Sequence, residues 1–247
     1  MNLPRELEIE PLVDAVFEVR LSGTAPLADI LPGYLLHVLG RDTVLTRLPA
    51  ADIPRPLRVD NPDLQFAPIQ RLEWSKYFIA FGDSNIVISC KLPYPKWANF
   101  KSAILEIMRN IAKLELLGNV ERYSVKYVNL IQAPTFAEQV QKIRMDIKLG
   151  DIQVSDDHMS LQVHRKEGDI VHILSVVTGA QGQMPNGESI FGALVDIDSI
   201  REVSSQSFGQ LVATFESGLE ELRQANKAKF FGCLTDLTIQ EMRPKYE

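Results

Sequence analysis

The feature that most constrains this chain is a strand pattern that occurs twice. Ala15–Leu21 reads AVFEVRL, and Ser124–Leu130, 109 residues later, reads SVKYVNL. Both alternate as half-buried strands do, and both keep the spacing Val-x-x-Val-x-Leu. A long amphipathic helix follows each at a matched distance. Phe100 lies 85 residues after Ala15, and Phe208 lies 84 after Ser124. A strand with one apolar face needs a layer to cover it. The pattern therefore predicts two α+β halves, residues 1–118 and 119–247, joined as one compact unit and related by internal duplication. Pairing the repeated strands near a pseudo-twofold axis would hide two edges prone to aggregation. The expected fold is a curved, mainly antiparallel sheet with two long helices on one face. This is the plan of TATA-binding-protein-like and helix-grip folds, and it carries no function by itself.

Between these landmarks the patterns are local. Leu27, Ile30, Leu31, Tyr34, Leu35 and Val38 have helical spacing, which Pro32-Gly33 should shorten or split. Pro49, Pro54, Pro56 and Pro62 predict a rigid surface connection, with a short strand at Leu57–Val59. Strands are expected over Gln65–Trp74, Tyr77–Phe81 and Ile86–Lys91, the last two joined by the turn residues Gly82-Asp83-Ser84-Asn85. Phe100, Ile104, Ile107, Ile111 and Leu114 mark a helix over Trp97–Leu117, stopped by Gly118-Asn119.

The second half begins with a strand at Val120–Ile131 and a helical stretch at Phe136–Ile143. Met145–Val154 is expected as a strand broken at Gly150. Leu161–His164 and Ile170–Val177 form a hairpin, and Ala180–Glu188 a loop. Ile190–Ile200 is a strand, and a helix bearing Phe208, Leu211, Phe215, Leu219 and Leu222 runs to about Phe231. The first half carries its extra strand before its hairpin; the second carries it after.

Composition narrows the class. The 247 residues are 45% hydrophobic, enough for a real core, and the formal charge is −6. That charge argues against a general nucleic-acid binder, and the longest basic run is His164-Arg165-Lys166. No stretch approaches the roughly 20 apolar residues of a membrane helix. The acidic start MNLPRELEIEPL lacks a signal core, so a cytoplasmic protein without a membrane partner is expected. Cys90 and Cys233 sit in apolar settings and read as buried thiols.

PLVDAVFEVRL, RYSVKYVNLI, GALVDIDSI and NKAKFFGCLTD together resemble a sporadically distributed bacterial family of about this length, conserved and of unknown function. The resemblance spans most of the chain through short, largely apolar motifs. It implies a bacterial, cytoplasmic accessory protein and supplies no activity, cofactor or catalytic residue. Members of that family often carry a histidine near the position of Ala225 or Asn226. This chain has none there.

The polar constellations were weighed individually. Asp156-Asp157-His158, with His164 and His172 downstream, has metal-ligand residue types. On one strand, however, His158 and His164 would lie about 20 Å apart. His172 facing His164 across a hairpin would give two ligands at best. A solvated polar face explains the cluster better. Asp196 and Asp198 share one face of a strand, roughly 7 Å apart, a spacing that suits a divalent cation, acid–base work or pairing with Arg20 or Lys126. Ion pairing on the face away from the helices is the favoured reading. Trp74, Tyr77, Phe78, Tyr94 and Trp97, with Arg71, Lys76 and Lys96, form an aromatic and basic group that reads first as packing.

No phosphate loop, nucleophile elbow or dinucleotide fingerprint is present. The expectation is a non-catalytic binding or adaptor protein without cofactor or metal. It would recognise another protein in a bacterial accessory system, and a homodimer is compatible with that. Asp196, Asp198, Trp74 and Lys76 are the candidate partner-binding residues. The alternative is a small-molecule binder or metal-dependent enzyme with a cavity between sheet and helices.

Overall fold

A computed structural model describes residues 3–23, 26–40, 42–115, 117–148, 150–152, 157–184 and 187–246. In chain order the elements are β1 (Glu6–Leu7), β2 (Leu12–Leu21), α1 (Leu27–Leu39), β3 (Val44–Arg47), α2 (Arg55–Val59), β4 (Gln70–Trp74), β5 (Tyr77–Phe81) and β6 (Asn85–Cys90). They continue with α3 (Trp97–Ala112), β7 (Asn119–Gln132), α4 (Phe136–Lys142), β8 (Ser160–Glu167), β9 (Ile170–Gln183), β10 (Ser189–Ser207), α5 (Phe208–Cys233), α6 (Asp236–Glu241) and β11 (Pro244–Lys245). The fold is α+β. Nine strands form an open, mainly antiparallel sheet in the order β3-β4-β5-β6-β2-β7-β10-β9-β8, and β1 pairs with β11 separately. The strands that carry the repeated heptapeptides, β2 and β7, are neighbours in that order.

The chain divides into two units. A three-segment unit comprises Met1–Ala15, Lys126–Ser199 and Leu222–Glu247; a two-segment unit comprises Val16–Val125 and Ile200–Glu221. In the two-segment unit, the pairs Phe17↔Ile88, Val19↔Ile86, Ile79↔Ile88 and Leu72↔Ile79 place one apolar row across four strands. α3 and the first half of α5 cover that row. Tyr77 stacks on Phe100 at 6.1 Å, and Phe215 meets both Phe17 and Tyr123 edge-on at 5.5 and 5.0 Å. In the three-segment unit, Ile131, Val176, Ala193, Val195 and Ile197 form the sheet side of a core. Phe230, Phe231, Leu234, Ile239 and Met242 close it. The expected α5 stripe of Phe208, Leu211, Phe215, Leu219 and Leu222 is buried throughout.

Several expectations change. Pro32 does not split α1, a single helix of 13 residues. Pro32 is itself buried with Leu31 and Leu35, so packing outweighs the backbone bond that proline removes. Leu57–Val59 is helical, in α2, where Pro54 caps the start and Pro56 occupies the first turn. β3 was not anticipated. β9 runs to Gln183, into the start of the expected loop, and β10 extends to Ser207. Residues 145–148 form no strand, and residues 149 and 153–156, Asp156 among them, lie outside the described residues. α3 stops at Ala112, short of Leu117.

The opening repeat also needs correction. Phe17 and Tyr123 point at Phe215, so odd-numbered residues of both β2 and β7 face the helices. Val16 and Val125, matched in the repeat, therefore face opposite ways: Val125 is buried, Val16 half-buried. Aligned letter by letter, the heptapeptides are one residue out of phase, and one residue inverts every side chain of a strand.

Candidate functional site

β10 alternates along its length. Ala193, Val195, Ile197 and Ser199 are buried; Leu194, Asp196 and Asp198 between them are half-buried. Both aspartates thus leave the face opposite the helices, as expected. Asp196 is not a freely solvated group, however. Its side chain is 20% exposed, and Lys126 of β7 reaches its Oδ2 at 2.7 Å. Its Oδ1 is buried without a hydrogen-bond donor among the described residues. Asp14 of β2 joins this group. Burial pushes the Asp14 carboxyl above its ordinary value; the Ala15 amide and Lys126 draw it down, and Asp196 adds to the rise. Lys126 is therefore the cation of a three-strand cluster. Arg20, the other candidate partner, is engaged elsewhere.

In the two-segment unit the face opposite the helices carries a second ionic cluster, centred on Glu18. Its carboxylate accepts from Arg20 Nε at 2.9 Å, Asn85 Nδ2 at 2.9 Å and Arg122 at 3.2 Å. Arg20 also lies over the Phe66 ring at 3.7 Å. On the same face the Arg71 guanidinium sits 4.4 Å from the centre of Phe78. Sequence reasoning missed Glu18 and Arg122. The signal was available: both occupy polar phases of strands whose other phase is apolar.

The remaining candidates separate. Trp74 ends β4, half-buried, and its ring leans on Tyr77 at 5.7 Å. Lys76 is exposed in the β4–β5 turn, where its carbonyl accepts from the Lys91 amide at 2.8 Å. Both lie in the two-segment unit, whereas Asp196 and Asp198 lie in the other. Tyr77, Tyr94 and Trp97 surround Phe100, so most of the aromatic group is packing.

The histidines do not converge. The hairpin register pairs His164 with Ile173 and Arg165 with His172. His164 is therefore on the opposite face from His172, and the two-ligand site is excluded. His164 and His158 are exposed, while His172 is 1% exposed. Among the described residues no three His, Cys, Asp or Glu groups are placed to hold a metal ion. Cys90 is buried as expected; Cys233 is half-buried, and burial pushes its thiol up, away from the reactive thiolate.

The depressions in the two-segment unit include two that are shallow and polar-edged. One of about 520 Å³ is bordered by Ser22, Asn119, Glu121, Arg122, Glu202 and Ser204. The other, of about 370 Å³, lies beside Tyr123, Arg201, Glu202, Thr214, Ser217 and Glu221. Arg201 spans the second, donating to Glu221 at 2.7 Å and to the Tyr123 hydroxyl at 3.4 Å. Both are open to solvent and edged by polar groups, unlike the concave, largely apolar cavities that enclose small molecules. No helix among the described residues is long and apolar enough to cross a membrane.

Comparison of the chain with protein-family models and with curated proteins finds no match.

Proposed function

We propose that the chain is a non-catalytic binding or adaptor protein that recognises another protein through the sheet face opposite its helices, in a bacterial, cytoplasmic accessory system. The observation that carries this reading is the state of the charges there. Glu18 is held by Arg20, Arg122 and Asn85, and Asp196 by Lys126. Charges fixed in advance cost a partner little ordering entropy and set its register. The test is native purification from the bacterial host at low and high salt, followed by intact-complex mass spectrometry. The wild-type chain is expected to retain a stoichiometric protein partner at low salt. Asp196→Lys, with an unchanged circular dichroism spectrum, is expected to lose it. Equal retention by the variant would overturn the reading.

A retained small molecule would instead favour the second reading, a small-molecule binder. Its metal-dependent form has no ligand cluster behind it among the described residues.

The internal duplication belongs here as well, with its offset moved to 108 residues. Phe100, Ala103, Ile107 and Ile111 then fall on Phe208, Leu211, Phe215 and Leu219, and Ala15, Phe17 and Val19 fall on Tyr123, Val125 and Tyr127. All fourteen are buried. The strand order adds support. In each half an opening strand, β2 or β7, neighbours the last strand of a three-stranded meander, β4-β5-β6 or β8-β9-β10. A duplication of this kind would make the fold TATA-binding-protein-like or helix-grip-like.

A further inference from the structure

The covered side of the three-segment unit contains a polar group that the partner-binding reading does not use. His172 of β9, Ser199 of β10 and Asn226 of α5 are 1%, 0% and 1% exposed. Asn226 Nδ2 donates to the Ile197 carbonyl at 2.8 Å and to Ser199 Oγ at 3.0 Å. His172 Nδ1 lies 2.9 Å from the same Oγ.

The direction of the two Asn226 bonds follows from one acceptor. The Ile197 carbonyl can only accept, so the amide nitrogen of Asn226 must be the atom beside it. That nitrogen then also donates to Ser199. With its oxygen receiving Asn226, the Ser199 hydroxyl is free to turn its hydrogen to His172 Nδ1. That arrangement suits His172 as an acceptor at Nδ1 with its proton on Nε2, the neutral form.

The charges around the ring favour the same form. From β8, Arg165 is the cross-strand neighbour of His172, and Glu167 accepts from Lys229 of α5 at 2.5 Å. Arg165 also approaches Glu167, at 3.5 Å. β10 presents Ser199. Two cations thus already share one carboxylate, and an imidazolium would be a third. Burial first, and Lys229 second, hold the His172 pKa below its ordinary 6.5; Glu167 offsets them in part.

We propose that His172, Ser199 and Asn226 form a latch joining β9, β10 and α5, closed while His172 is neutral and opened when it takes up a proton in mildly acidic solution. Protonation puts a hydrogen on Nδ1, facing an oxygen whose own hydrogen already points there. The hydroxyl must rotate away, the ring loses its acceptor role, and a buried charge is left beside Lys229. Separating β9 from α5 lets water reach it. The sign is that of a base with a depressed pKa. The folded chain binds fewer protons than the unfolded one, so the contribution is complete above about pH 6.5 and is lost as the pH falls below it.

The test pairs imidazole NMR with hydrogen exchange on the full chain. At neutral pH, ¹⁵N-labelled His172 is expected as the Nε2–H tautomer, titrating below the ordinary 6.5. From about pH 7.5 to about pH 5.5, amide protection, corrected for the intrinsic pH dependence of exchange, should fall in residues 160–183 and 222–233. His172→Gln, which cannot titrate, should abolish that fall. An Nδ1–H tautomer, titration at or above the ordinary 6.5, or an equal fall in the variant would overturn the latch. If His172→Gln does not fold, the tautomer and titration of the wild-type ring decide the matter.

Discussion

Asp196 and Asp198 on one side of β10, and Ile197 and Ser199 on the other, are consecutive residues with opposite chemistry. On the face away from the helices the polar groups are half-buried carboxylates, Asp196 among them paired to Lys126. On the covered face they are neutral and fully buried, and each is tied to a specific donor or acceptor. The difference follows from desolvation. A charge keeps most of its hydration where water reaches half of it, whereas a sealed site tolerates a hydroxyl, an amide or a neutral imidazole if every bond is made. Polarity alone therefore does not distinguish the two faces of β10; charge does.

That contrast can be broken most severely from the helix side. Phe215→Ala removes the ring that Phe17 and Tyr123 pack against and should cost about 3–5 kcal/mol, read as a lowered denaturation midpoint. Asn226→Ala strips the donor from the Ile197 carbonyl and should cost about 1–3 kcal/mol in the same assay. On the opposite face the effects should shrink. Glu18→Gln, at a carboxylate with three donors, should cost about 1 kcal/mol, and added salt should narrow the gap from wild type. Asp196→Asn with Asp198→Asn should stay within about 0.5 kcal/mol of wild type, with melting unaffected by Mg²⁺ or Mn²⁺ in either protein.

Asp14→Asn should reverse the sign. Because burial raises that carboxyl's pKa, the folded chain prefers it protonated, and its ionised form weakens folding as the pH rises through the raised pKa. The variant should melt at or above wild type at neutral pH, and the gain should vanish in acid, below the ordinary 3.8. A loss in Asp14→Asn equal to that in Asn226→Ala would erase the distinction between the faces.

Periodicity made the covered face legible. The stripes of α3 and α5 and the strands β2, β5, β6, β7 and β10 are visible because burial repeats with the backbone period. Elements defined by proline and by edges were harder to see. α2 is five residues with proline in its first turn, and β3 has both faces exposed, so neither has a period to read. The phase of the repeat misled for a different reason. Val and Leu suit either side of a strand, and Val125 and Leu130, on opposite sides of β7, are both buried. At the candidate sites, Asp196 pairing with Lys126 was readable from charge and alternation. The Glu18 cluster and the His172–Ser199–Asn226 group were not, since each gathers residues from three elements far apart in sequence.

The segment composition of the two units bears on how the gene can be divided. Its breaks fall between Ala15 and Val16 in β2, Val125 and Lys126 in β7, Ser199 and Ile200 in β10, and Glu221 and Leu222 in α5. Every one interrupts a strand or a helix, and none lies in a linker of the kind that separates excisable domains. No contiguous stretch of coding sequence specifies either unit. Truncation libraries, two-hybrid baits made from one half, and fusions inserted at the midpoint would each sever hydrogen-bonded backbone. Interaction mapping is better served by point substitutions in the whole chain than by fragments of it.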